Sequence, residues 1–151
     1  MPRVYTLPIR FFKENVKYSV KEKVKTQHWI KSAILDHGFE LAELNFILCS
    51  DSYLLQINQQ YLNHDTLTDI ITFDNSDIRG SIMGDIFISI ERVQENAKRY
   101  RVDVGHELRR ILIHGTLHLL GFKDKKKADK LKMTEMENFY LNKFDDTVIS
   151  N

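Results

Sequence analysis

The order in which two hydrophobic periodicities appear constrains this chain most. Short β-rich or alternating stretches, "VYTLPIRF", "ELNFILCS", "TDIITFD" and "MGDIFISI", all fall in the first 90 residues. Beyond them, "ERVQENAKRY", "VGHELRRILIHGTLHLLG" and "KKADKLKMTEMENFYLNKF" follow helical spacing. Two more helices interleave with the strands. "SVKEKVKTQHWIKSAILDHG" offers Val20, Val24, Ile30 and Ile34 as a face, Ser19 as a cap and Gly38 as a stop, and "DSYLLQINQQYLN" opens on Asp51 or Ser52 as its cap. The segment "NSDIRGSI" between the last two strands permits antiparallel pairing. Strands early and helices late predict an α+β fold of four strands and about five helices.

Composition bounds the rest. At 151 residues, 42% apolar and 28% charged, with two prolines, both before residue 9, and no linker or repeat, the chain is expected to be one domain spanning 1–151. A net charge of +1 sets up no global field for nucleic acid, so any basic footprint must be local. The N-terminus "MPRVYTLPIRFFKEN" lacks an apolar signal core and no run is long enough to span a bilayer, so a soluble cytoplasmic protein is expected. Cys49, the one cysteine, lies in an apolar run and reads as packing.

The chemistry concentrates in "HGTLHLLGFKD", residues 114–124. Residues four apart on a helix lie about 40° apart around its axis, so His114 and His118 can meet at one metal ion. Gly121 suits a left-handed helix end that folds the chain back and brings Asp124 within reach. Two imidazoles and one carboxylate form a three-ligand zinc set, leaving a fourth position for a water whose pKa the metal lowers to about 7. Leu117, Leu119 and Leu120 make the other side of this helix core, and the bland alternative for Asp124 is a cap on the following helix. Zinc peptidases of the His-Glu-x-x-His type carry their general base directly after the first histidine, where this chain has Gly115. Glu107, two turns earlier on the same stripe, reads either as a support behind a metal ligand or as a plain salt bridge.

These residues resemble the YbeY family of bacterial metal-dependent endoribonucleases, whose signature runs His-Gly-x-Leu-His-Leu-x-Gly-Tyr-Asp-His. His114, Gly115, Leu117, His118, Leu119 and Gly121 match it, with Phe122 at the tyrosine. The similarity extends to "YLNHDTLTDIITF", to "MGDIFIS", to Glu107 and to the Met-x-x-x-Glu pattern in "MTEMENFYL". The resemblance implies an α+β fold with a small mixed sheet, a zinc-dependent hydrolase-like site at a helix end and one zinc ion. It also implies cleavage of single-stranded RNA in small-subunit rRNA 3′-end maturation and ribosome quality control, with the small subunit and its assembly factors as partners. Four positions depart from the family: its third histidine falls at Asp124, the aspartate before it at Lys123, and an arginine and a proline of the preceding block at Leu62 and Leu67.

Zinc-bound water is then the expected nucleophile, His64 reads either as a phosphate contact or as an exposed loop histidine, and Asp65, Thr68 and Asp69 either brace their loop or, Thr68 first, contact substrate. Lys123, Lys125, Lys126 and Lys127 beside the proposed metal read either as an RNA-binding patch or as a solvated helix start. Two other classes compete: a metallopeptidase or small-molecule metal hydrolase, which needs a general base near the metal, and a non-catalytic ribosome-assembly module in which zinc only ties the helix end to its turn.

Overall fold

The computed structural model describes residues 7–62 and 68–149. Its elements are β1 (Ile9–Glu14), α1 (Lys23–Asp36), β2 (Glu40–Cys49), α2 (Asp51–Leu62), β3 (Ile70–Asp74), β4 (Ser81–Ser89), α3 (Ile90–Tyr100), α4 (Val104–Leu119) and α5 (Lys127–Lys143). The four strands form one mixed sheet in the order β1-β2-β4-β3, with β1 and β4 parallel to β2 and β3 antiparallel to β4. The expected α+β architecture is therefore present, including the pairing across residues 75–80.

Strand alternation divides the side chains between two helical layers. Leu44, Phe46 and Leu48 of β2 and Ile82, Ile86 and Ile88 of β4 join one buried cluster with Trp29, Ile30 and Ile34 of α1 and Leu108, Leu112 and Leu117 of α4. A smaller cluster on the opposite face combines Cys49 and Ile71 with Leu54 and Ile57 of α2. Helix α5 closes over the larger core through Met133 and Tyr140, and the Trp29 indole N–H donates to the Tyr140 carbonyl at 2.7 Å.

Several local expectations need correction. Helix α1 begins at Lys23, not Ser19: Glu22 precedes it in a left-handed conformation, Ser19 accepts from Lys13 Nζ, and Val24 is exposed. Its buried face is Thr26, Trp29, Ile30, Ala33 and Ile34, because a stripe chosen by packing prevailed over one chosen by hydrophobicity alone. Helix α2 is capped by Ser50, whose Oγ accepts from the Tyr53 N–H at 3.2 Å. Asp51 is drawn away to Ser89 and Arg92, contacts between segments distant in sequence. The first strand starts after Pro8, whose carbonyl accepts from the Leu44 N–H at 2.8 Å, so the proline precedes the ladder and does not interrupt it.

Candidate metal centre and its cleft

Helix α4 is set by Asp103, whose side chain accepts from the Gly105 N–H at 3.2 Å. Its other end is a Schellman closure: Phe122 N–H donates to the Leu117 carbonyl and Gly121 N–H to the His118 carbonyl, both at 3.0 Å. Gly121 has φ +103°, which glycine adopts freely, and a chain reversed there runs back along the histidine face of α4. Phe122 packs against the main core and fixes the return. Asp124 consequently stands over both histidines, its Oδ2 3.4 Å from His114 Nε2 and 3.2 Å from His118 Nε2, while the two Nε2 atoms are 3.0 Å apart.

The donor chemistry fits a divalent metal. Phe122 O can only accept, so at 3.0 Å from His118 Nδ1 it requires the proton on that nitrogen. Glu137 Oε2, 2.6 Å from His114 Nδ1, imposes the same tautomer as a carboxylate. Both Nε2 atoms then converge with an anionic oxygen, an arrangement that a proton or a metal cation stabilises. Ligands about 2.0–2.2 Å from a tetrahedral zinc ion are spaced by about 3.3 Å, matching the three separations found. Burial disfavours the His114 cation, but the Glu137 hydrogen bond and charge, with Asp124 and Asp69, outweigh it and hold the imidazole above the ordinary histidine range.

Glu137 was not singled out from sequence as a support. It is buried on α5, and Arg110 Nη1 donates to its Oε1 at 2.9 Å while Nη2 reaches Asn138 Oδ1 at 2.9 Å. Its one signal was the Met133-x-x-x-Glu137 spacing, which carries no geometry until α5 packs on α4. Glu107 has no hydrogen bond or ion pair to either histidine; it is 4% exposed, and burial, aided by Asp69 and Glu137 and opposed by Arg110, raises its carboxyl above the usual range. Support behind a histidine therefore comes from Glu137. Asp124 does not cap α5, whose first turn has no side-chain cap at Lys126.

The histidines open into a cleft of about 500 Å³. One wall is His114, His118, Leu119 and Asp124; the other is Thr68, Asp69 and the residues Ile70, Thr72 and Asp74 of β3. Thr68 thus shares the cleft with the histidines, and its Oγ1 donates to the Ile70 carbonyl at 3.1 Å. Asp69 lines the wall as well, whereas Thr72 and Asp74 were missed because a strand pattern does not reveal which edge will face a helix. His64, Asp65 and Leu67 lie outside the described residues. Lys123, Lys125, Lys126 and Lys127 are exposed beside the Asp124 turn.

The family model described as "Endoribonuclease YbeY" matches residues 9–145. The chain belongs to the YbeY family. Similar relatives include the YbeY endoribonuclease of Cytophaga hutchinsonii, 47% identical over 88% of this chain and 93% of the relative. That of Flavobacterium psychrophilum is 48% identical over 88% and 94%. The fold resembles the solution structure of a Thermotoga maritima protein, at TM-score 0.63 and 25% identity, covering 90% of this chain and 88% of the other. As a YbeY member, this chain brings together His114, His118 and Asp124 as a group able to hold a metal ion. No helix among the described residues is long and apolar enough to cross a membrane.

Proposed function

We propose that this YbeY-family chain is a cytoplasmic, single-domain, zinc-dependent endoribonuclease that cleaves single-stranded RNA in small-subunit rRNA 3′-end maturation and ribosome quality control. One ion is held by His114, His118 and Asp124, and the ribosomal small subunit with its assembly factors presents the substrate. The observation that carries the reading is the open triangle of two lone-pair nitrogens and one carboxylate oxygen, facing a cleft in a chain of this family.

Each residue has a physical task. Glu137 and the Phe122 carbonyl hold the imidazoles in the tautomer that directs Nε2 into the cleft, and Arg110 balances the Glu137 charge. Bound there, zinc supplies Lewis-acid activation of water and positive charge at the scissile phosphate. Thr68 lies on the facing wall, where a phosphate contact would exchange the bond its hydroxyl now donates to the Ile70 carbonyl; His64 is the further phosphate contact the sequence offers. The exposed lysines at 123 and 125–127 raise the local concentration of a polyanion although the net charge is only +1.

Peptide hydrolysis of the His-Glu-x-x-His kind is disfavoured by packing. A Cβ at Gly115 would meet Ile70 Cδ1 at 2.9 Å and Ile86 Cδ1 at 3.0 Å, so that position points into the sheet and has no room for a glutamate aimed at a metal. His114, His118 and Asp124 would hold the ion with three ligands and so would leave a position for water on the cleft side, which favours catalysis over a purely structural zinc. Metal analysis and cleavage of a labelled single-stranded RNA test the proposal in His114→Ala. Zinc and cleavage are expected to fall together by at least a hundredfold while circular dichroism is retained. Undiminished cleavage by the zinc-free variant would refute it.

A further inference from the structure

The wall of the cleft facing the histidines is a sheet edge. Strand β3 is last in the sheet, and its ladder with β4 fixes the direction of every backbone group. Ser89 N–H donates to the Asp69 carbonyl at 3.0 Å and Asn75 N–H to the Met83 carbonyl at 2.8 Å. Antiparallel pairing alternates with period two, so Asp69, Ile71, Phe73 and Asn75 turn their backbone groups toward β4, and Ile70, Thr72 and Asp74 turn theirs outward. The Thr68 hydroxyl already occupies the outward pair of Ile70, donating to its carbonyl at 3.1 Å and accepting from its N–H at 3.5 Å. Thr72 and Asp74 are left with outward N–H and C=O groups that have no hydrogen-bond partner among the described residues. Both residues line the cleft.

Resting on the nuclease reading of the same cleft, we propose that the free edge of β3 is a binding site for the sugar-phosphate backbone of single-stranded RNA, with the Thr72 N–H donating to a non-bridging phosphate oxygen and the Thr72 carbonyl accepting from a ribose 2′-hydroxyl. The chemistry selects this occupant. An edge residue offers one donor and one acceptor side by side, and a ribonucleotide carries the complementary pair: an anionic acceptor and a hydroxyl donor. Outward residues repeat every two positions, about 7 Å along the strand, comparable with the phosphate step of an extended single strand. The Asp74 carboxylate repels phosphate at the far end and accepts from hydroxyls, so it places phosphate at Thr72 and sugar toward Asp74. Backbone contacts carry no base information, which makes the edge a reader of RNA over DNA and not of sequence.

Proline is tolerated on an edge strand where its missing N–H faced outward, so Thr72→Pro deletes the proposed donor without removing a ladder bond. Binding of a fluorescent single-stranded oligoribonucleotide to the zinc-loaded full-length chain, read by anisotropy before cleavage proceeds, is expected to weaken about tenfold in Thr72→Pro. Thr72→Ala, which keeps the N–H, should weaken binding clearly less than Thr72→Pro does. In the parent protein an all-deoxy strand of the same sequence should bind at least about fivefold more weakly than the RNA, an arm that needs no folded variant. Equal binding of RNA and DNA by the parent overturns the inference, as does unchanged RNA binding by a folded, zinc-loaded Thr72→Pro. An extended peptide that binds the parent and is lost in Thr72→Pro while RNA binding persists would likewise overturn it, identifying the edge as a site of strand addition. Cleavage is scored separately: ribose-selective binding without cleavage sinks the nuclease reading alone, and cleavage without these binding effects sinks the edge alone.

Discussion

Asp124 stands over both histidines, and its geometry gives a graded expectation. Asp124→Ala should lose zinc, Asp124→Asn should bind it weakly because a neutral amide is a poorer ligand, and Asp124→His should recover it as a three-histidine site. Inductively coupled plasma analysis after gel filtration measures all three; full zinc in Asp124→Ala would remove the residue from the site. Glu137 acts through His114. Glu137→Gln preserves shape and one acceptor but discards the charge that fixes the Nδ1 proton, so zinc affinity should fall roughly tenfold to a hundredfold in competition with a chelator. A purely structural role would instead lower the melting temperature and leave that affinity alone. The two variants separate binding from orientation, a division that side-chain identity does not reveal.

Two glycines show how close elements must come for the cleft to exist. A Cβ at Gly84 of β4 would meet the Phe73 carbonyl at 2.6 Å, a backbone atom of the paired strand, with Leu119 of α4 3.2 Å away. At Gly115 the obstacles are side-chain atoms, Ile70 Cδ1 at 2.9 Å and Ile86 Cδ1 and Cγ2 at 3.0 and 3.1 Å, which yield more readily than a backbone carbonyl. Gly84→Ala should therefore cost about 2–3 kcal/mol, and Gly115→Ala about 1 kcal/mol less, in urea unfolding followed by circular dichroism. Equal costs would mean that β3 yields as easily as an isoleucine side chain. Because β3 carries one wall of the cleft and Leu119 the other, Gly84→Ala should also weaken cleavage of single-stranded RNA.

Over the whole molecule, the buried Cys49 links stability to alkaline pH. Burial, reinforced by Asp51, pushes its thiol up to about 12 from 9.0. A raised folded-state pKa contributes stability that is complete below the unfolded value and is lost as pH rises toward the folded one, because only the unfolded chain releases the proton between them. Between pH 9 and 12 the parent should therefore lose up to about 1.4 kcal/mol per pH unit more than Cys49→Ala. Parallel slopes for the two proteins in pH-resolved denaturant titrations would show that Cys49 ionises freely in the folded state. The same burial predicts no alkylation of native Cys49 at neutral pH.

What the sequence determined by itself was local and periodic. Four strands and five helices, the His114/His118 pair at helical spacing, the reversing glycine at 121 and the carboxylate at 124 all lie within reach of short-range rules, since one helix and one turn bring that triad together. The tertiary structure decided what depends on long-range packing. Glu137 meets His114 across 23 residues because α5 docks on α4, Ser50 replaces Asp51 as a cap because Asp51 is drawn to Ser89 and Arg92, and Thr72 and Asp74 enter the cleft because β3 is an edge strand beside α4. Periodicity states which side chains share a face; only the energy of packing two faces together states which faces meet.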